Sequence, residues 1–351
     1  MRSLLRHFVS AIRYPESHAQ GFVAMGKGIA ERRKKFSAEW NQHLELTRRA
    51  QARWLDGEGD TPLSRIVVLG AGRLFDVDQD LLASRFREIA FYDADPLCLP
   101  AWRTFSARYP KVQTSFHIME LSGALRPWES TFRAKASTSA FDESVAVLRT
   151  LTLPERSPFL CSLEHTHPAA VLSLNILSQL VVMWQNLVER ILIENYGASY
   201  VAEHEQQWLE AYAPSARLLI RQHLQDLGRS EAKKILLISD VEYLHYPQLP
   251  RGEHAIPFLW EEQPAASGLA QGTWRENPEC SQAQSLEWRQ SCELTSALLD
   301  VNVENEKLRF TLLPEYQSEL EPCWLWLIAP ESAAGEAVLH RVRPIQFKRS
   351  V

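Results

Sequence analysis

Two glycines, Gly70 and Gly72, stand directly after a short apolar run in RIVVLGAGRLFDV. Glycine there lets the chain turn tightly and lets a ligand lie against bare backbone, while the following helix offers its free N–H groups. A second apolar run ends on Asp93, in AFYDADP, where a carboxylate can accept the hydroxyl hydrogens of a ribose. The pair of features points to a bound nucleoside. A dinucleotide loop would want a further glycine where Phe75 stands, which disfavours NAD. No GxxxxGK followed by Ser or Thr occurs, so a Walker-type phosphate loop is excluded.

Other polar residues fall where chemistry could follow binding. Asn175 ends a later apolar run, a ligand-facing place in an open α/β sheet, although Asn is also a helix cap and Ser178 could share that task. Asp240 and Glu242 follow the next run and could bind a substrate or act as a base; turn carboxylates are the plainer alternative. Glu164 to His167, EHTH, has metal-ligand residue types without helical spacing or a third ligand, so no metal is expected. Trp324, Trp326 and Phe347 alternate on two closing strand candidates and are expected in the core.

The elements that must position these residues follow from the apolar pattern. Residues 1–60 are rich in Ala, Arg, Glu, Gln and Leu and form a helical cap segment, its longer helix at 29–55. From 61 onward short apolar runs alternate with helical stretches. Strands are expected at 66–69, 89–92, 115–121, 169–174, 234–239, 323–330 and 339–349. Helices are expected in DQDLLASRF, in LCLPAWRTFSARYP, from 179 to near Gly197, and over 201–227. This alternation predicts a three-layer Rossmann-like α/β domain, about seven mostly parallel strands over residues 61–351. A loop-rich insertion with one short helix is expected at about 246–305.

VVLGAGRLFDV, AFYDADP and HIMELSG together resemble the first three motifs of the class I S-adenosylmethionine-dependent methyltransferases. SLNILSQL is similar to the fourth motif of an uncharacterised bacterial branch of that superfamily. The resemblance covers about residues 65–240. It implies S-adenosylmethionine as cofactor, with Gly70, Ala71 and Gly72 beneath its methionine part and Asp93, beside Ala94, on the ribose. It further places Glu120 at the adenine amino group, Leu121 against the ring, and the N-terminal helices over the cleft. Asn175 would border both cofactor and acceptor, and Asp240 would face the acceptor. The implied activity is methyl transfer to a small molecule. Val68 and Leu74 replace an acidic residue and a glycine common in the family, which keeps a non-catalytic nucleoside-binding scaffold as the alternative. An NAD-linked oxidoreductase stands further off.

Composition narrows the partners. The 351 residues carry a net charge of −5 with a pI near 6.2, which repels a phosphate backbone, so nucleic acid is not expected. The basic run in AERRKKF suits a solvated helix face. Charges interrupt the longest apolar stretches before the roughly 20 residues of a membrane span, and no membrane association is expected. Arg6 and His7 break the apolar start of MRSLLRHFVSAIRYPE, which favours an amphipathic helix over a targeting signal. The 5 scattered cysteines, free of any CxxC pair, suggest a reducing, cytoplasmic setting. Sequence leaves the oligomeric state open.

Overall fold

The computed structural model describes residues 10–56, 63–163, 166–247, 258–263, 271–276, 289–290, 301–304, 307–310, 313–329 and 336–350. Strands β1 (Leu63–Leu69), β2 (Phe86–Asp93), β3 (Gln113–Ile118), β4 (Ala170–Leu174) and β5 (Lys234–Pro247) lie in the order β3-β2-β1-β4-β5. Every neighbouring pair among them is parallel. Beyond β5 the chain forms β6 (Phe258–Gln263), β7 (Gln271–Glu276), β8 (Arg289–Gln290), β9 (Val301–Glu304), β10 (Lys307–Phe310) and β11 (Tyr316–Leu320). It closes with β12 (Trp324–Ala329) and β13 (Glu336–Arg349).

β13 pairs antiparallel with β5, and β12 antiparallel with β13, so β12 runs in the direction of the first five strands. All seven expected strands are thus present and six share one direction. The protein has an α/β Rossmann-like fold with N-terminal helices. Ile66 and Val68 face one side of the sheet, Val67 and Leu69 the other, and all four are fully buried, as parallel strands covered on both faces require.

Among the described residues, helices α1 (Pro15–Ala19), α2 (Phe22–Lys35) and α3 (Ser37–Leu55) precede the sheet. The first face of the sheet carries α3 with α4 (Gln79–Arg85) and α5 (Leu99–Arg108), through Trp40, Trp54, Leu82, Trp102 and Phe105. The opposite face carries α6 (Leu125–Ala136), α7 (Phe141–Val147), α8 (Pro158–Ser162), α9 (Ile176–Tyr196), α10 (Ala198–Glu203) and α11 (Glu205–Arg229). By length and composition α9 could cross a membrane, yet Leu177, Trp184, Leu187, Val188 and Ile191 bury it against the core of this face.

Several boundaries differ from those expected. The helix at 29–55 is two helices, broken at Phe36 (φ −119°, ψ 46°), which lets α3 pack on β12 while α2 crosses toward the turn at 95–98. The helix at 201–227 is likewise divided, at His204. The third strand stops at Ile118, short of Glu120 and Leu121. The fifth runs on past Asp240 to Pro247 because β13 supplies it with hydrogen-bond partners throughout. Within 246–305 the described residues are strand segments, β6 pairing β7, and the short helix expected there lies outside the described residues.

Candidate nucleoside-binding site at the carboxyl edge of the sheet

β1 leads to a helix on one face and β4 to a helix on the other, and at such a switch point open α/β sheets take a ligand in a crevice outside the strand ends. The glycine loop stands there. Gly70 has φ +69°, and a Cβ there would run into the Leu174 carbonyl oxygen, so glycine is demanded by both conformation and space. Gly72 has φ +48° but open room around it. Leu74 adopts the left-handed conformation at φ 61°. That conformation costs about 1–2 kcal/mol, and burial of its side chain to 2% exposure offsets the cost.

Asp93 fastens this loop to the turn after β2. One carboxylate oxygen accepts the Gly72 N–H at 2.8 Å and the other accepts the Asp95 N–H at 2.8 Å. The Ala71 N–H reaches the Tyr92 carbonyl at 3.1 Å, and the Trp102 indole N–H reaches the Gly72 carbonyl at 2.8 Å. Burial pushes the Asp93 pKa up, and the N–H groups of Asp95, Gly72 and Ala94 pull it back in part. Ala94 itself is half-buried beside them.

Asp95, which no sequence motif marks, accepts the Leu97 N–H at 2.9 Å with Oδ1. Its Oδ2 is buried without a partner. Burial, then the charge of Asp93, pushes its pKa up to about 7. Helix α2 lies against this carboxylate: a Cβ on Gly26 would overlap Asp95 Oδ2. Further contacts bring the N-terminal helices over the loop. Arg33 stacks on the Phe75 ring at 4.1 Å, Arg48 donates to the Phe75 carbonyl at 3.2 Å, and Gln51 donates to the Asp76 carbonyl at 2.6 Å. Arg33 therefore leaves the solvated face that the basic run suggested, while Lys34 and Lys35 stay exposed.

Glu120 stands in the turn after β3. Its carboxylate accepts the Ser122 N–H at 2.6 Å and the Leu125 N–H at 3.4 Å, so its first task is to cap α6. Burial raises its pKa against those donors. Leu121, expected beside an adenine ring, is 4% exposed and belongs to the core of the second face.

Across the crevice Asn175 adopts a left-handed conformation (φ 52°) at the end of β4. Its side chain caps no helix. Instead Nδ2 donates to Asp76 at 3.2 Å, bridging β4 to the glycine loop, and Oδ1 is buried without a partner. Burial pushes Asp76 up to about 6, with Asn175, Arg33 and Arg48 opposing. Asp240 lies farther along the edge at a β-bulge, where it faces Val342 while Glu242 faces Arg341. It accepts hydrogen bonds from Ser178 and from His340 Nδ1, the latter at 2.7 Å. Burial pushes its pKa up, yet His340 and Ser178 together hold the carboxyl below the usual carboxylate range. Glu242 and Tyr243 continue β5, and their side chains lie outside the described residues.

No signal along the chain marks the two remaining functional candidates, His340 and His43. His43, from α3, is buried, stacks on Trp326 at 4.0 Å and accepts the Trp324 indole N–H at 3.0 Å. Burial pushes its pKa down to about 3. Trp324, Trp326 and Phe347 are buried as expected, the first two in one face and Phe347 in the other. Glu164 and His165 of the EHTH segment lie outside the described residues, and His167 faces Glu231 at 3.6 Å.

No protein-family model matches the chain, and no curated protein matches it. Among solved structures it is similar to one described as "Low resolution structure of WbdD with C-terminal bundle ordered to residue 505", at 13% identity and a TM-score of 0.27. That match covers 88% of this chain and 35% of the other, so the chain spans about a third of its length. A likeness at this level carries no argument about function.

Proposed function

We propose that the protein is an S-adenosylmethionine-dependent methyltransferase acting on a small molecule. The observation that carries the reading is Asp93, whose carboxylate holds the Gly72 and Asp95 amides at the mouth of the crevice between β1 and β4. The two oxygens offer about four lone-pair sites, and the backbone N–H groups leave room among them for a ribose hydroxyl. Gly70, Ala71 and Gly72 would pass beneath the methionine part, and Glu120 would meet the adenine amino group.

Charge and topology favour this cofactor over NAD. Asp76, Asp93 and Asp95 gather around the loop with carboxyl pKa values raised first by burial, an environment that a sulfonium and an ammonium would relieve and a pyrophosphate would worsen. A second nucleotide-binding half also needs another parallel strand beside β5, and β13 occupies that place antiparallel. Leu74 holds a left-handed backbone, a conformation that glycine adopts freely, so a loop built for glycine at that position is compatible with this one.

Once bound, S-adenosylmethionine supplies a methyl group on positively charged sulfur, already activated toward a nucleophile. The protein's part is to align that nucleophile and to exclude water. Asn175 and Asp240 flank the acceptor side of the crevice, and α2 with α3 covers the loop. We assign the activity to the cytoplasm, a reading supported by Cys98 and Cys161, which are free thiols. Calorimetry with S-adenosylhomocysteine and with NAD tests the proposal. Binding of the first and not the second is the expected result, and tight NAD binding would overturn it.

A further inference from the structure

We propose that α2 is a hinged lid on the turn after β2, latched where Gly26 packs on Asp95 and released when that carboxyl group carries a negative charge. A Cβ built on Gly26 would overlap Asp95 Oδ2 and lie 2.9 Å from Cγ, so the helix backbone rests directly on the carboxyl group. Oδ1 accepts the Leu97 N–H, whereas Oδ2 is buried with no hydrogen-bond partner. A charged oxygen in that position has lost water and gained no donor, a cost that lifting the helix relieves.

α2 is held far less firmly than the helix that follows it. Of its 14 residues Val23 is the one buried, whereas eight of the 19 in α3 are, and few buried contacts put a segment at the low end of local stability. Gly26 and Gly28 weaken the helix itself. It is bounded by Gly21 (φ 91°) and by the break at Phe36, element-terminal positions that can absorb a change of backbone angle. The latch reaches the glycine loop through two hydrogen bonds, the Asp95 N–H to one Asp93 oxygen and the Gly72 N–H to the other, each 2.8 Å. Asp93 on β2 opposes ionisation of Asp95 and Arg73 in the glycine loop favours it; the Cys98 thiol stands beside it in its own turn, and α2 meets it with uncharged Gly26. Burial first, then Asp93, push its pKa up to about 7. With α2 lifted, water returns the group toward the ordinary carboxylate range, so the closed form binds the proton more tightly. The preference for closure is therefore complete in acid and lost as pH rises through about 7.

Hydrogen exchange of the full, ligand-free chain, followed by mass spectrometry at pH 5 and pH 8 and divided by the intrinsic exchange rates, tests the lid. Protection of α2 is expected to fall at least about tenfold between the two pH values while α3 keeps its own. Asp95→Asn, which retains an acceptor for the Leu97 N–H and cannot ionise, should abolish the fall. Gly26→Ala favours a helix but drives a methyl group into Asp95, and should leave α2 unprotected at both pH values with α3 intact. Protection of α2 indifferent to pH, a fall that persists in Asp95→Asn, or exchange of α2 and α3 together overturns the proposal. Should Asp95→Asn not fold, the wild type and Gly26→Ala still decide, since a Gly26→Ala chain that keeps α2 protected also overturns it. The exchange is read without ligand, so failure of S-adenosylhomocysteine to bind removes the methyl-transfer reading and leaves the lid; a rigid α2 does the reverse.

Discussion

Around Gly72, carboxylates hold backbone: Asp93 takes the amides of Gly72 and Asp95, Asp95 that of Leu97, and Glu120 those of Ser122 and Leu125. Around Asp240, side chains hold one another, Ser178 and His340 on Asp240 and Asn175 on Asp76. The first arrangement joins short turns between consecutive elements and shapes a surface of peptide groups. The second joins residues 62, 100 and 99 positions apart and offers groups that can exchange protons. On the methyl-transfer proposal, the first half would cradle the cofactor and the second would face the acceptor.

The largest test of that division is in the backbone half. Gly70→Ala should destabilise the fold by at least about 3 kcal/mol, since it adds left-handed strain to a clash with the Leu174 carbonyl. Gly72→Ala should cost about 1 kcal/mol, strain alone. Denaturant titration of both checks the pair, and equal losses would show that Gly70 does not pack against the Leu174 carbonyl.

Next in size, Asp93→Ala should weaken S-adenosylhomocysteine binding by about 1–3 kcal/mol, the scale of hydrogen bonds lost to a charged group. Calorimetry on a variant shown to be folded measures this. An unchanged affinity would mean that the carboxylate serves the loop and not the ligand.

A smaller effect is expected from Asp95 and depends on pH. Its pKa of about 7, like that of Asp76 at about 6, lies above the unfolded carboxylate value, so the folded state binds the proton more tightly. That contribution is fully present below the unfolded pKa and is lost as pH rises through 6 to 7. Asp95→Asn should therefore stabilise the ligand-free protein by about 1–2 kcal/mol at pH 8 and change little at pH 4. Equal effects at both pH values would contradict the assignment.

The smallest change sharpens the contrast from the other side. Asp240→Asn should alter S-adenosylhomocysteine affinity by less than about threefold, under about 0.7 kcal/mol. A loss as large as that of Asp93→Ala would place Asp240 in the cofactor site and erase the distinction between the two halves.

How far the sequence could be followed differs between these halves. The Gly70–Gly72 turn, Asp93 and the strands that carry them were legible because each is set by neighbours a few residues away: β-branched runs, a turn that needs glycine, a carboxylate at a strand end. Glu120 was expected at the end of the third strand, but it stands in the turn beyond Ile118, and its capping bonds depend on where β3 stops, which no local signal marks. Asn175 was singled out for its place after β4, whereas its partner Asp76 follows from the approach of β4 to the glycine loop.

By itself the sequence determined the alternation of buried strands and helices, the glycine turn and the acid that meets it, since apolar period and backbone freedom are local properties. Only the tertiary structure decided that β13 would lie antiparallel against β5, bringing His340 to Asp240, and that a break at Phe36 would carry α2 across Asp95. Those encounters are fixed by strand pairing and by packing of apolar faces over long stretches of chain. Such forces specify burial residue by residue, but they name a partner only once the sheet order exists.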